Sequence, residues 1–68
     1  MSMTLREWRR VKEISQQGMA DRLNIAVGTY QNWERDPGRI PFGKAVEIAR
    51  IFQVSLDDIR FSTKELVC

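Results

Sequence analysis

Apolar residues recur at helical spacing along almost the whole of this 68-residue chain, and no stretch alternates as a β-strand would. The spacing predicts five short helices, over about residues 4–12, 16–23, 27–35, 43–52 and 56–60. Residues that suit helix starts and ends flank these segments, namely Thr4, Ser15 and Ser55 at starts and Asn24 at an end. We therefore expect an all-α fold of five compactly packed helices.

The length and composition restrict the classes of protein that remain. The chain suits one domain over 1–68, with a core region at 4–61 and a short tail at 62–68, and its 43% hydrophobic content is enough for a folded core. It has no His and a single Cys at its last position, which excludes the common zinc sites and a His-activated nucleophile. No apolar run approaches the roughly 18 residues of a membrane span, and the first residues lack a signal-peptide core. We expect a cytoplasmic protein that is no enzyme and needs no metal or cofactor.

Charge is distributed unevenly along the chain. Residues 1–44 carry 8 basic and 5 acidic side chains, whereas residues 45–68 carry 3 basic and 4 acidic ones. The first two-thirds could therefore face a polyanion. An excess of three positive charges is also ordinary surface chemistry, so charge alone does not decide between the two interpretations.

The second and third predicted helices have the spacing of a helix-turn-helix. Two short helices joined by about three residues cross closely, and a close crossing needs a small residue where the backbones meet. Ala20 occupies that place, Asn24 lets the chain reverse, and Ile25 can fill the turn from beneath. The same spacing also occurs in helix pairs that serve only for packing.

The outward side of the third helix is short and polar. Amide side chains can pair with adenine edges in the major groove, a Thr methyl can touch thymine, and a glycine permits close approach. The candidates on this helix are Gly28, Thr29, Gln31 and Asn32. Around them stand side chains suited to holding phosphates, namely Gln16, Gln17, Arg35, Arg39 and Lys44. The alternative is a helix side that is polar only because water covers it.

Glu34 falls inside the apolar arc of the third helix, where an unpaired carboxylate is unfavourable. Arg9 lies beside the apolar stripe of the first helix. We predict an ion pair between Arg9 and Glu34 that ties the first helix to the end of the third. A solvated Glu34 at a ragged helix end is the alternative.

Taken together, these residues resemble the phage repressor and Cro-type helix-turn-helix domains, the XRE family. The matching positions are Leu5, Trp8, Arg9, 14–16, Met19, Ala20, 23–25, Tyr30, Trp33, Glu34, Ala49, 52–57 and Ile59. The resemblance covers residues 4–61. It implies a lambda-repressor-like domain that binds double-stranded operator DNA as a two-fold homodimer.

The resemblance also implies roles for single residues. Its base-reading positions fall on Val27, Gly28, Thr29 and Asn32, its phosphate contact falls on Gln16, and its structural ion pair falls on Arg9 and Glu34. Ala26 stands where the family has a capping Ser or Thr, which removes a cap of about 1 kcal/mol. Because Val27 and Gly28 replace longer polar readers, hydrogen-bond readout rests mainly on Thr29, Gln31 and Asn32.

The fourth helix has a wider apolar arc than burial on one side needs. We expect the homodimer interface to involve Ile51, Phe61, Leu66 and Val67, with a tail folded on its own domain as the alternative. The large aromatic residues Trp8, Trp33, Phe42 and Phe52 are assigned to the core, with stacking on bases as the alternative.

Two functions follow from this reading of the sequence. The first is a small bacterial or phage transcriptional regulator, a repressor or Cro-like protein. The second is a helix-turn-helix module that binds a regulatory protein, which the near-neutral net charge of +2 and the short side chains of Val27 and Gly28 favour.

Overall fold

The computed structural model describes residues 2–61. Four α-helices, numbered α1 to α4 along the chain, span Leu5–Val11, Gln16–Leu23, Val27–Arg35 and Phe42–Phe52. One 3-10 turn follows α3 at Pro37–Arg39, and another follows α4 at Leu56–Asp58. The all-α prediction is confirmed, and the fifth helix predicted over 56–60 is the second of these 3-10 turns. Among the described residues no helix is long and apolar enough to cross a membrane.

Local hydrogen bonds fix where the short helices begin and end. The Glu7 N–H donates to Thr4 Oγ1 at 3.2 Å, and the Thr4 N–H donates to the Glu7 carboxylate at 2.8 Å. The Gly18 N–H donates to Ser15 Oγ at 2.9 Å. Asn24 ends α2 in the left-handed conformation, with φ 59° and ψ 46°. These bonds satisfy backbone groups that helix ends leave free. Because the residues that form them mark the helix ends in the sequence, the predicted limits of α1 and α2 lie close to the observed ones.

The core lies where α2, α3 and α4 meet, and α1 closes it. Ala20 is fully buried in α2, and the Ile25 N–H donates to its carbonyl at 3.0 Å across the turn. The Trp8 ring stacks on Phe52 with 6.5 Å between ring centroids. The buried apolar side chains are Leu5, Met19, Ala20, Leu23, Tyr30, Trp33, Ala45, Ile48, Ala49, Phe52 and Ile59.

The two ends of the described chain are joined by backbone hydrogen bonds. The Met3 N–H donates to the Asp58 carbonyl at 3.0 Å, and the Arg60 N–H donates to the Met3 carbonyl at 2.8 Å. The Trp8 indole Nε1–H donates to the same Asp58 carbonyl at 2.7 Å. This clamp holds α1 over the core and therefore fixes its position beside α3.

Three assignments on the apolar surface need correction or limitation. Phe42, assigned to the core, is 74% exposed because it opens α4 at the rim of the domain. Ile51, expected at the dimer interface, is half-buried and packs against the core, which leaves only part of its side chain for a partner. Phe61 is also half-buried, whereas Leu66 and Val67 lie outside the described residues.

Candidate nucleic-acid interface

Helix α3 has one buried and one exposed side. Tyr30 is fully buried and Trp33 is 8% exposed, and both point into the core. The opposite side is exposed and carries Gly28, Thr29, Gln31, Asn32 and Arg35. A nine-residue helix with a short polar side of this kind has the dimensions of a segment that can enter the major groove.

Val27 and Gly28, the first two of the predicted base readers, differ in how far they are exposed. Val27 is half-buried and contacts the core, so its side chain is only partly available to a ligand. Gly28 faces open space, and a Cβ built on it would meet no atom within 4 Å. The packing of the described residues therefore does not require a glycine at position 28. Ala26, before the helix, supplies no side-chain cap.

Arg9 and Glu34 form a largely buried ion pair between α1 and the end of α3. Arg9 Nε lies 2.6 Å from Glu34 Oε2, and the two side chains are 13% and 5% exposed. Arg9 Nη1 also donates to the Ile14 carbonyl at 3.0 Å. The pair thus links three segments of the chain at the edge of the exposed side of α3.

The protonation equilibria reflect this pairing. Burial by itself raises the pKa of Glu34, but hydrogen bonds, first that from Arg9, outweigh burial and hold the pKa below its ordinary value of 4.5. The hydrogen bond to Glu34 raises the pKa of Arg9. Burial raises the pKa of Tyr30, whose hydroxyl faces Glu34 without a hydrogen bond of good geometry. At neutral pH the site therefore holds a charged pair beside a neutral phenol.

A chain of hydrogen bonds extends from this ion pair to the exposed side of α3. Gln16 Nε2 donates to Glu34 Oε1 at 3.0 Å, and Gln31 Nε2 donates to Gln16 Oε1 at 3.1 Å. The buried pair thereby orients a predicted phosphate contact and a predicted base reader. The sequence indicated these residues separately but gave no signal that they are connected.

Two of the predicted phosphate contacts are held by exposed acidic neighbours. Gln17 Nε2 donates to Asp21 Oδ1 at 2.9 Å on the surface of α2. Arg39 Nε lies 3.0 Å from Asp36 Oδ2, and these side chains are 74% and 50% exposed. Exposed pairs of this kind contribute little to stability, so a phosphate can replace the acidic partner easily.

Arg35 and Lys44 differ in what occupies their charged groups. Arg35 donates from Nη2 to the Asn32 side-chain oxygen, a neutral partner that leaves the positive charge uncompensated. Lys44 Nζ donates to the Leu23 carbonyl at 2.8 Å and lies 3.5 Å from Glu47 Oε1. Lys44 therefore caps the C-terminus of α2, and its ammonium is used within the protein rather than presented beside Arg35.

Comparison with known proteins supports the helix-turn-helix geometry. The model of the Helix-turn-helix family matches residues 5–59. One curated relative is an uncharacterized HTH-type transcriptional regulator, YobD, from Bacillus subtilis (strain 168), and it is 31% identical over 55 residues. The matched part is 81% of this chain and 49% of the relative, so the chain spans about half the length of that protein. No solved structure matches the chain.

Proposed function

Because the chain belongs to the helix-turn-helix family, we propose that it binds double-stranded DNA sequence-specifically and regulates transcription in the bacterial cytoplasm. The observation that carries the proposal is the exposed polar side of α3. Thr29, Gln31 and Asn32 face solvent there, while Tyr30 and Trp33 anchor the opposite side in the core. A helix held in this way can enter a groove without rearrangement of the protein.

The proposed base readers act through complementary groups. The amides of Gln31 and Asn32 can donate to and accept from adenine edges, and the Thr29 methyl can contact a thymine methyl. Gly28 lets the backbone of α3 approach the bases. Val27 would contribute through the part of its side chain that the core does not cover.

Phosphate contacts would surround this helix and fix its register on the duplex. Gln16 and Gln17 lie at the start of α2, and Arg35 and Arg39 lie at and beyond the end of α3. Lys44 is left out of this set, because its ammonium caps α2. The network from Arg9 through Glu34 to Gln16 would reduce the ordering needed when DNA binds.

We further propose that the protein binds a two-fold symmetric operator as a homodimer. A groove of about 500 Å³ beside α4 is mainly apolar, and Phe42 stands at its rim with 74% exposure. Phe61 and Leu56 also line the groove. A symmetric contact would pack this surface of each copy against the same surface of the other. Ile51 would contribute only the part of its side chain that the core leaves uncovered.

We propose repression, as in phage repressors and Cro, as the mode of regulation. Repression requires only that the protein occupies its operator, and residues 2–61 present the surfaces needed for that.

The same groove favours a second candidate function. An exposed aromatic residue beside an apolar groove is also suited to a protein partner. In that case the chain would be a helix-turn-helix module that binds another regulator through the Phe42 groove, with the exposed side of α3 left unused.

Selection of bound duplexes from a random DNA pool, followed by affinity measurements on the enriched duplex and on a scrambled one, tests the proposal. We expect an enriched palindrome and a steep fall in affinity between about 50 and 200 mM salt, because phosphate contacts release counterions. Asn32→Ala should reduce the preference for the enriched duplex, whereas Arg39→Ala should weaken both duplexes equally. If no duplex is enriched, and binding to the scrambled duplex does not weaken with salt, DNA recognition is contradicted and the protein-binding function is favoured.

Sedimentation of the wild-type chain and of Phe42→Ser, with and without the enriched duplex, tests the dimer. We expect two copies per palindrome for the wild type and weaker pairing for Phe42→Ser. A wild-type chain that remains monomeric on the palindrome would rule the dimer out.

A further inference from the structure

A recess opens between α1 and the helix-turn-helix, next to the exposed side of α3. Its volume is about 260 Å³, and it is lined by Arg6, Gln16, Gln31, Glu34 and Arg35. Arg6 is the contribution of α1, whereas the others come from the start of α2 and from α3. The recess therefore joins a residue outside the helix-turn-helix to the proposed DNA-binding side chains.

Arg6 has the properties of a side chain that is available to bind an external partner. It is exposed, and within residues 2–61 its guanidinium makes no hydrogen bond and no ion pair. Its acidic neighbour in the sequence, Glu7, is engaged in the capping interaction with Thr4. Packing does not explain the position of the Arg6 guanidinium, because the side chain is exposed.

The charges around the recess favour an anion. Glu34 lines the recess, but its carboxylate is paired with Arg9 and also accepts a hydrogen bond from Gln16. Arg35 is bonded to a neutral amide, and Arg6 has no acidic partner among the described residues. The recess together with Arg9 thus carries three guanidinium groups and one carboxylate, which leaves two positive charges at its mouth.

We infer that Arg6 is a further DNA-phosphate contact, which together with Arg35 brackets the sugar-phosphate backbone at the mouth of this recess. The inference rests on the proposed DNA-binding function. A guanidinium can hold two phosphate oxygens through parallel N–H groups, which fixes orientation as well as charge. Because Gln31 lines the same recess, a phosphate held there would set the depth at which α3 enters the groove. Helix α1 would then take part in DNA binding directly, and not only through the Arg9–Glu34 pair.

The test compares Arg6→Gln with Arg50→Gln, a matched loss of one exposed Arg that is not among the residues lining the recess. Binding of the enriched and the scrambled duplex is measured over a series of salt concentrations. We expect Arg6→Gln to lower the slope of log affinity against log salt by about one and to weaken both duplexes equally. Arg50→Gln should keep the wild-type slope, and Arg6→Lys should keep the slope while losing part of the affinity.

Thermal melting of Arg6→Gln, Arg6→Lys, Arg50→Gln and Arg35→Gln accompanies these measurements, and we expect all four to melt like the wild type. The inference is overturned if Arg6→Gln keeps the wild-type slope while Arg35→Gln reduces it, a result that would leave DNA binding itself intact. A wild-type chain whose affinity for DNA is insensitive to salt would overturn both the inference and the proposed function. If Arg6→Gln lowers the melting temperature, the slopes are compared at a temperature where this variant is folded: a slope lower by about one supports the inference, and the wild-type slope overturns it.

Discussion

Replacing Glu34 by Ala should destabilise the domain more than any exposed substitution. The change leaves the Arg9 guanidinium, which is 13% exposed, without its carboxylate, and it removes the acceptor of the Gln16 amide. Breaking one partner of a buried pair costs about 3–5 kcal/mol. Since Arg9 can still donate to the Ile14 carbonyl and reach some water, we expect about 3 kcal/mol, the lower end of that range.

The effect is large relative to the stability that a chain of this size can have. A domain of 68 residues has a free energy of unfolding of roughly 3–10 kcal/mol. A loss of about 3 kcal/mol lowers the melting temperature by roughly 12–24 °C at this size. Glu34→Ala should therefore be partly unfolded at temperatures where the wild type is folded.

Circular dichroism during thermal and urea unfolding provides the assay. Glu47→Ala is the control, because Glu47 forms only an exposed pair with Lys44 and its loss should change stability by less than about 0.5 kcal/mol. The double variant Arg9→Met with Glu34→Leu should be more stable than Glu34→Ala, since it removes both charges together. A Glu34→Ala variant that unfolds like the wild type would show that the pair does not stabilise the fold. So would destabilisations by Arg9→Met and Glu34→Leu that add up to that of the double variant.

Three further predictions concern single positions. Gly28→Ala should raise the free energy of unfolding by about 0.5–1 kcal/mol, because its Cβ meets no atom, while weakening binding to the enriched duplex; unchanged affinity would show that DNA does not approach this position. Lys44→Met should lower stability in urea unfolding by about 1 kcal/mol through loss of the bond to the Leu23 carbonyl, yet leave the salt slope of DNA binding unchanged, and a reduced slope would show a phosphate contact instead. Because the folded-state pKa of Glu34 is lowered, its contribution to stability should be complete above pH 4.5 and should disappear as the pH falls through the folded-state pKa; urea titrations of the wild type and Glu34→Gln should converge in acid, and a constant difference would exclude this linkage.

The helices could be predicted from the sequence because their limits depend on neighbouring residues. Thr4, Ser15 and Asn24 form bonds within three or four positions, so the residue types alone indicate where α1 and α2 begin and where α2 ends. The clamp from Asp58 to Met3 and Trp8 has no such signal. It joins groups about fifty positions apart, and both bonds are accepted by the backbone carbonyl of Asp58, a group that every residue has.

The site was predictable in its parts but not in its connections. The polar side of α3 follows from helical periodicity, and Glu34 on the apolar arc indicates a need for a partner. Lys44 shows the limit of this reasoning, because a positive charge on the sequence does not reveal that a buried carbonyl at Leu23 uses it. Phe42 shows the same limit for apolar residues, since its position at the start of α4 places it at the rim.

Nuclear magnetic resonance titration of the protein with the enriched duplex tests the central claim most directly, since it shows which side of the domain meets DNA. We expect the largest shifts for the backbone amides of residues 28–32 and for the side-chain amides of Gln31 and Asn32. Shifts confined to the groove around Phe42, with residues 28–32 unchanged, would contradict that claim.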